Sequence, residues 1–242
     1  NSSFIDPEPE EESESVCQDL VEDLDYTDEF TDTDCDTECD GSDAECPDFD
    51  YATHTNSGAL TQFYFCKMKI DDDIVTTSEA DDTDDKIFIA RDFEIKGTGE
   101  LRLSNDALDP ADTDETVITV YKNAKLKDAG EIQVKGALTL NVQGKMDMKD
   151  DALLNDTQRV KADVITLVRG NFKIEDDAKY YGAISSDGTI EVKNNGYIEG
   201  AIQAQEVKFK NNAKLIFDDT AGENTEGYEE CGSSDVSSAW AE

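Results

Sequence analysis

Basic residues are missing from the start of this chain: positions 1–50 hold 21 Asp or Glu and no Lys or Arg. Over all 242 residues, 59 acidic side chains stand against 21 basic ones, a formal charge of −38. Without a positive face the chain is not expected to bind nucleic acid or an anionic membrane, because both require cations opposite phosphate. Histidine is nearly absent as well, His54 being the only one. No Ser/His/Asp or Cys/His constellation can therefore be built within the repeats, and the expectation is a protein without catalytic residues. No apolar run reaches the ~20 residues that a membrane-spanning helix needs, so direct membrane insertion is not expected either. Cysteine is absent from 67–230, and all six, Cys17, Cys35, Cys39, Cys46, Cys66 and Cys231, lie outside that stretch.

An even number of cysteines beside a Cys-free body fits disulfides formed in an oxidising compartment. Zinc competes weakly, since Cys35, Cys39 and Cys46 are loosely spaced for a metal site and His54 adds little. The chain carries no signal peptide and begins at Asn1 rather than Met. These features are read as a processed mature chain that is secreted, at the extracellular cell surface. The excess negative charge repels itself unless counterions or divalent cations neutralise it. Calcium-bearing or salty surroundings follow, with a halophilic solvation shell as the plainer alternative.

What the chain does have is repetition. Ile190-Glu-Val-Lys-Asn-Asn-Gly-Tyr-Ile198 recurs 17 residues later as Val207-Lys-Phe-Lys-Asn-Asn-Ala-Lys-Leu215. Looser copies are Ile118–Leu126 and Phe93–Leu101. Each alternates apolar with polar residues, turns at Asn or Gly, and resumes with an apolar residue. Alternation points one face inward, and Asn and Gly accept the positive φ of a tight corner. Such repeats bury their apolar face only by stacking on one another. The fold predicted is all-β: a single-chain parallel β-helix, or β-solenoid, with an acidic, disulfide-stapled N-terminal extension.

Four segments are read along the chain. Residues 1–50 are the acidic, Cys-rich extension, in which Val16, Leu20, Val21 and Leu24 have the spacing of a short helix. Residues 51–86 are a transition, with Gly58–Cys66 read as one strand bearing a disulfide partner. Residues 87–217 are the solenoid, interrupted by a projecting loop at Asp106–Glu115. Residues 218–242 are a Gly-, Ser- and Glu-rich tail with Cys231 and Trp240 as its anchors, Trp240 reading as a cap on the last coil or an anchor into a partner.

The sharpest local signal is Asp32-Thr-Asp-Cys-Asp-Thr-Glu-Cys-Asp-Gly-Ser-Asp43. Asp36, Glu38 and Asp40 before Gly41 match the first half of a calcium loop, where alternate carboxylates converge and Gly makes the turn. Loop position 12 is Pro47 rather than Glu, so a full EF-hand is not expected. Asp32, Asp34, Asp36, Glu38, Asp40 and Asp43 are the candidate Ca2+ ligands, against a solvated acidic loop held by disulfides. Asp71, Asp72, Asp73, Asp81, Asp82, Asp84 and Asp85 are weaker candidates. Carboxylate pairs also serve polysaccharide-active enzymes of β-helical fold, but in so acidic a chain their presence discriminates nothing.

The run Val164-Ile-Thr-Leu-Val-Arg-Gly-Asn-Phe-Lys-Ile-Glu-Asp-Asp-Ala-Lys-Tyr-Tyr-Gly-Ala-Ile184, with the Asn-Asn units after it, resembles two families. One is the β-helical region of the adhesin-like protein associated with the mannose-sensitive haemagglutinin pilus, similar over roughly residues 47–217. The other, more distant, is the bactofilins, whose β-helices stack into cytoskeletal polymers. The resemblance implies an extracellular, surface-associated or fibrous role and no catalytic residues.

A β-helix leaves unpaired strand edges at its ends, which template pairing with another chain. The leading expectation is thus a structural filament subunit whose partner is a second copy of itself. Subunits would join by stacking or by docking the acidic extension on a neighbour. Lys193, Lys208, Lys210 and Trp240 are the candidate subunit contacts, with simple solubility the plainer role for the lysines. The alternative is a monomeric module binding a surface glycan or pilus, for which Tyr180, Tyr181 and Tyr197 are the aromatics to inspect.

Overall fold

The computed structural model describes residues 39, 42, 46–61, 63–77, 85–103, 115–134, 137–155, 164–218 and 221. Over these the chain is all-β apart from one four-residue helix, α1 (Tyr51–His54). The Asp50 side chain caps α1 by accepting from the Thr53 amide and hydroxyl, and the Thr53 hydrogen bonds hold its carboxyl below the usual range. Two short strands follow, β1 (Thr55–Asn56) and β2 (Ala59–Leu60), paired antiparallel. Ser57 and Gly58 between them both have positive φ, the geometry of a tight hairpin turn.

All further strand pairings are parallel and fall into three ladders. The second-ladder strands are β2, β5 (Ile74–Thr76), β8 (Glu100–Leu103), β11 (Glu131–Val134) and β14 (Leu153–Leu154). The third-ladder strands are β3 (Tyr64–Phe65), β6 (Asp85–Ile89), β9 (Glu115–Val120), β12 (Ala137–Val142) and β15 (Val164–Val168). The first-ladder strands are β4 (Met68–Asp71), β7 (Phe93–Lys96), β10 (Ala124–Leu126), β13 (Met146–Met148) and β16 (Phe172–Ile174). Two long strands, β17 (Lys179–Lys193) and β18 (Tyr197–Lys210), then run through all three ladders in turn, and β19 (Lys214–Phe217) ends the second. Along the chain the ladders are visited in a fixed order, second, third, first, so like positions stack level upon level. From Ile190 to Val207 one level takes 17 residues, whereas from Phe93 to Ala124 it takes 31.

Parallel pairing of strands thus begins at Ala59, within the segment read from sequence as a transition, after a single parallel bridge between Asp48 and Lys67. The expected single strand Gly58–Cys66 is instead two, β2 and β3, because the chain turns between ladders there. The copy Ile118–Leu126 is out of phase with the others. It crosses from the third ladder to the first, while Phe93–Leu101 and Ile190–Ile198 cross from the first to the second. Its own level makes that second crossing at Lys127–Gly130, a corner that sequence similarity alone did not align.

The first-to-second corner explains the Asn-Asn signature. Asp72, Gly97, Asp128, Asp150, Asp176, Asn194 and Asn211 all occupy the left-handed region there, the conformation that Gly, Asn and Asp tolerate best. Their side chains also bond along the stack: Asn194 donates to Asp176 at 3.0 Å and accepts from Asn211 at 2.9 Å. Between the second and third ladders Gly182 and Gly200 turn at φ 148° and 150°. A Cβ at Gly200 would collide with the Gly182 carbonyl oxygen, so only glycine lets successive levels approach here.

One apolar core runs the length of the stack, with columns such as Phe93, Ala124, Met146, Phe172 and Ile190 fully buried. Tyr180 joins it; its hydroxyl donates to the Ala183 carbonyl at 2.6 Å and lies 2.9 Å from the Thr166 hydroxyl. That contact accounts for a threonine among apolar neighbours in β15, and burial pushes the Tyr180 phenol up. The third ladder differs from the others in being buried on both faces, as in β12 and β15.

Candidate assembly site

The two ends of the stack are unlike. At the N-terminal end Phe49 and Tyr51 pack on the core, and Phe49 meets Phe65 edge to face at 5.4 Å. His54 is buried beside them, accepting the Asp50 amide through Nδ1 at 2.9 Å. The antiparallel hairpin and the Pro47–Phe49 segment, hydrogen-bonded to Cys66 and Lys67, cover the first strands. The sole histidine is therefore part of this cap.

Among the described residues the C-terminal end has no such cover. Val207 and Phe209 stand in register with Ile190 and Val192, which are fully buried, yet they are 38% and 44% exposed. Ile216 and Phe217 are 49% and 56% exposed on the same end. The sequence pattern is that of a core level, and among the described residues no strand pairs beyond it. An apolar end carrying unpaired backbone groups is a ready template for another chain.

The outer surface of the first ladder is a lattice of ion pairs. One column reads Lys69, Glu94, Lys125, Asp147, Lys173, Glu191, Lys208, so each level meets opposite charge above and below. The lysines expected to contact a neighbouring subunit take part in this lattice. Lys193 pairs with Glu175 at 2.7 Å, Lys210 with Glu191 at 2.6 Å and Lys208 with Glu206 at 2.5 Å. Trp240, the fourth expected contact, lies outside the described residues.

Glu175 shows how the lattice depends on pH. Burial opposes its charge, but hydrogen bonds from Lys173 and Lys193 prevail and hold its carboxyl below the ordinary 4.5. A depressed folded-state pKa stabilises the fold above the unfolded value, and that contribution is lost as pH falls through the folded value. The stability difference between wild type and Glu175→Gln is accordingly expected at pH 7 and expected to vanish as pH drops below 4.5. Urea unfolding at both pH values reads it, and a difference that persists in acid would refute the pairing.

Of the candidate disulfide residues, Cys39 and Cys66 are joined, with Cα atoms 5.7 Å apart. Cys46 is also disulfide-bonded, its partner outside the described residues, as are Cys17, Cys35 and Cys231. The Cys39–Cys66 bridge closes 27 residues of sequence onto the edge of the third ladder. Restricting the unfolded chain over that length is worth about 3 kcal/mol. Replacing Cys39 by Ser together with Cys66 by Ala is expected to lower the urea unfolding free energy by that amount. No shift in the midpoint would mean that this bridge adds nothing to the stack.

The proposed calcium ligands Asp32, Asp34, Asp36, Glu38, Asp40 and Asp43 lie outside the described residues, as do Asp81, Asp82 and Asp84, the Asp106–Asp114 part of the projecting loop, and the Val16–Leu24 helix. Asp71 and Asp72 are described and engaged: Asp71 pairs with Lys96 at 2.6 Å, and Asp72 accepts from the Thr98 amide at 2.8 Å. Among the described residues no three Asp, Glu, His or Cys side chains converge to hold a metal ion. The three tyrosines to inspect for a binding face do not form an exposed cluster. Tyr180 points into the core and Tyr181 is buried, leaving Tyr197 half-buried with its hydroxyl on Glu199 at 2.5 Å.

Sequence reasoning missed the doubly buried third ladder. Its signal was present: Val164-Ile-Thr-Leu-Val168 does not alternate, which is how a strand covered on both faces reads. Among the described residues beyond the strands, only Ala221 joins the apolar cluster on its outer side, against Ile165, Leu167 and Ala183. The open end and the shortest levels fall in the second part of the chain. Neither a curated protein nor a solved structure gives a significant match. One family model does, beginning at the Gly97 corner and ending just beyond Ala221. It is that of a domain of unknown function (DUF7305), which matches residues 97–224, more than half of the chain, and the protein belongs to that family.

Proposed function

We propose that the three ladders close into a single parallel β-helix and that the chain is a structural subunit of an extracellular filament. The observation that carries the reading is the inequality of the ends, one capped by α1 and the β1–β2 hairpin, the other exposing Val207, Phe209, Ile216 and Phe217. A second copy is the partner that suits it, because a stacked level is what this sequence is built to bury. Residues 1–38 of the acidic extension are the part of that second copy proposed to occupy the open end, adding a strand there. The likeness of the repeats to polymer-forming β-helices points the same way, and the disulfides suit a secreted protein. Calcium at the Asp32–Asp43 loop would neutralise charge that otherwise keeps such acidic subunits apart.

Negative-stain microscopy of the full chain, with calcium and then with a chelator, tests this. Fibres in calcium that dissolve in chelator support polymer and metal together. Fibres indifferent to chelator keep the polymer and remove the metal. Single particles under both conditions, at millimolar chain concentration, overturn the filament.

A further inference from the structure

We infer that the outer face of the third ladder is the seat of this chain's own C-terminal segment, residues 222–242. The face is built to be covered. Phe88, Thr119, Asn141, Leu167 and Ser185 form one outward column across five levels, and all are buried. The outward residues of the other two ladders are in the main half-buried or exposed.

Two observations identify the occupant. The first is where the chain goes. Among the described residues no further level follows β19; the Asp218 amide bonds to the Gly200 carbonyl and the Ala221 amide to the Asp218 carbonyl. This turn sets Ala221, fully buried, on Ile165, Leu167 and Ala183. The segment that follows therefore starts on this face. From the level of Gln203 back to that of Phe88 is five strand spacings, roughly 24 Å. The 21 residues of 222–242 reach that far with ease, since an extended chain covers roughly 3.3 Å per residue.

The second is chemical fit. Residues 222–242 carry Glu223, Glu226, Glu229, Glu230, Asp235 and Glu242 with no basic residue. On the first ladder Lys173, Lys193, Lys208 and Lys210 already pair with carboxylates of the ladder itself, and on the second the segment would meet Glu100, Glu131 and Glu199. From Phe88 to Gln203 the outward column of the third ladder holds no carboxylate, so an acidic strap can lie there without like-charge repulsion. The Thr119 hydroxyl and Asn141 Oδ1, adjacent in register, are buried without a hydrogen-bond partner. The Ser and Thr hydroxyls and backbone amides of the segment supply what these two groups need, and Val236, Ala239 and Trp240 supply apolar cover.

Trp240 is the only tryptophan, so its fluorescence reports on the segment alone. In the full chain its emission is expected to be blue-shifted and shielded from acrylamide, with amide exchange across 222–242 slowed. Leu167→Glu, or the milder Ser185→Glu near the edge of the face, is expected to abolish the shielding and the slowed exchange. Lys125→Gln on the first ladder is expected to leave both unchanged. A water-exposed Trp240 and freely exchanging 222–242 amides in the wild type overturn the assignment, whatever the variants do. Shielding lost on dilution would give the face to a second copy, and exchange released in 1–38 instead would give it to the N-terminal extension. Either result also overturns it.

Discussion

A chain carrying Val207→Asp and Phe209→Lys will fold as the wild type does and will fail to assemble. The pair leaves net charge unchanged, and both side chains are already partly in water, so the folded subunit loses little. In an assembly the same two side chains pass from a wet end to a core level. Burying an apolar side chain of that size outright is worth roughly 1.5–3 kcal/mol, and since the two start only 38% and 44% exposed, losing both costs about 1–2.5 kcal/mol of association. That is a weakening of about 10-fold, before the cost of burying two charges is added. Sedimentation velocity over a concentration series reads it directly. If the variant forms particles of the same size at the same concentrations, the open end is not the joint.

Phe172→Ala is the second large effect, this time on the fold. Phe172 lies fully buried in the first-ladder column between Met146 and Ile190, with Tyr180 edge to face at 5.8 Å. Truncation leaves a cavity that cannot collapse, since levels above and below are fixed by backbone pairing. Such a change costs about 4 kcal/mol. It also loosens the seat of Tyr180, whose hydroxyl bridges Thr166 and the Ala183 carbonyl, so the damage should spread toward the C-terminal levels. Urea unfolding gives the total, and amide exchange shows where it falls. Phe217→Ala, at the exposed end, serves as the contrast and is expected to change stability by less than about 0.5 kcal/mol. Equal losses for the two would mean that the level of Phe172 is not core.

Much of this was written in the sequence, and for a definable reason. Alternation in Ile190-Glu-Val-Lys and the Asn-Asn corner act over neighbouring residues, so class and repetition could be read locally. The positions of Asp72, Asp128 and Asp150 could not, because their left-handed φ becomes a column only when levels of unequal length are aligned by pairing. The same limit hid the phase of Ile118–Leu126 and the inward turn of Tyr180. Lys193, Lys208 and Lys210 read as free cations because their partners, Glu175, Glu191 and Glu206, face them across strands or two residues along one. The open end at Phe209 could be read as a repeat but not as the last one, since only the three-dimensional stack shows that nothing pairs beyond it among the described residues.

The charge column on the first ladder also bears on how such a chain threads itself without error. Stacked levels that share one core pattern are nearly interchangeable, so a strand can dock on the wrong predecessor with its apolar residues still inside. The order Lys69, Glu94, Lys125, Asp147, Lys173, Glu191, Lys208 marks odd levels from even ones. A strand that skips one level sets lysine on lysine or carboxylate on carboxylate, an unfavourable neighbour wherever the skip occurs. The column works as a parity check on misthreading, and inverting a single member, Lys125→Glu, would leave one place where the check reads the wrong way.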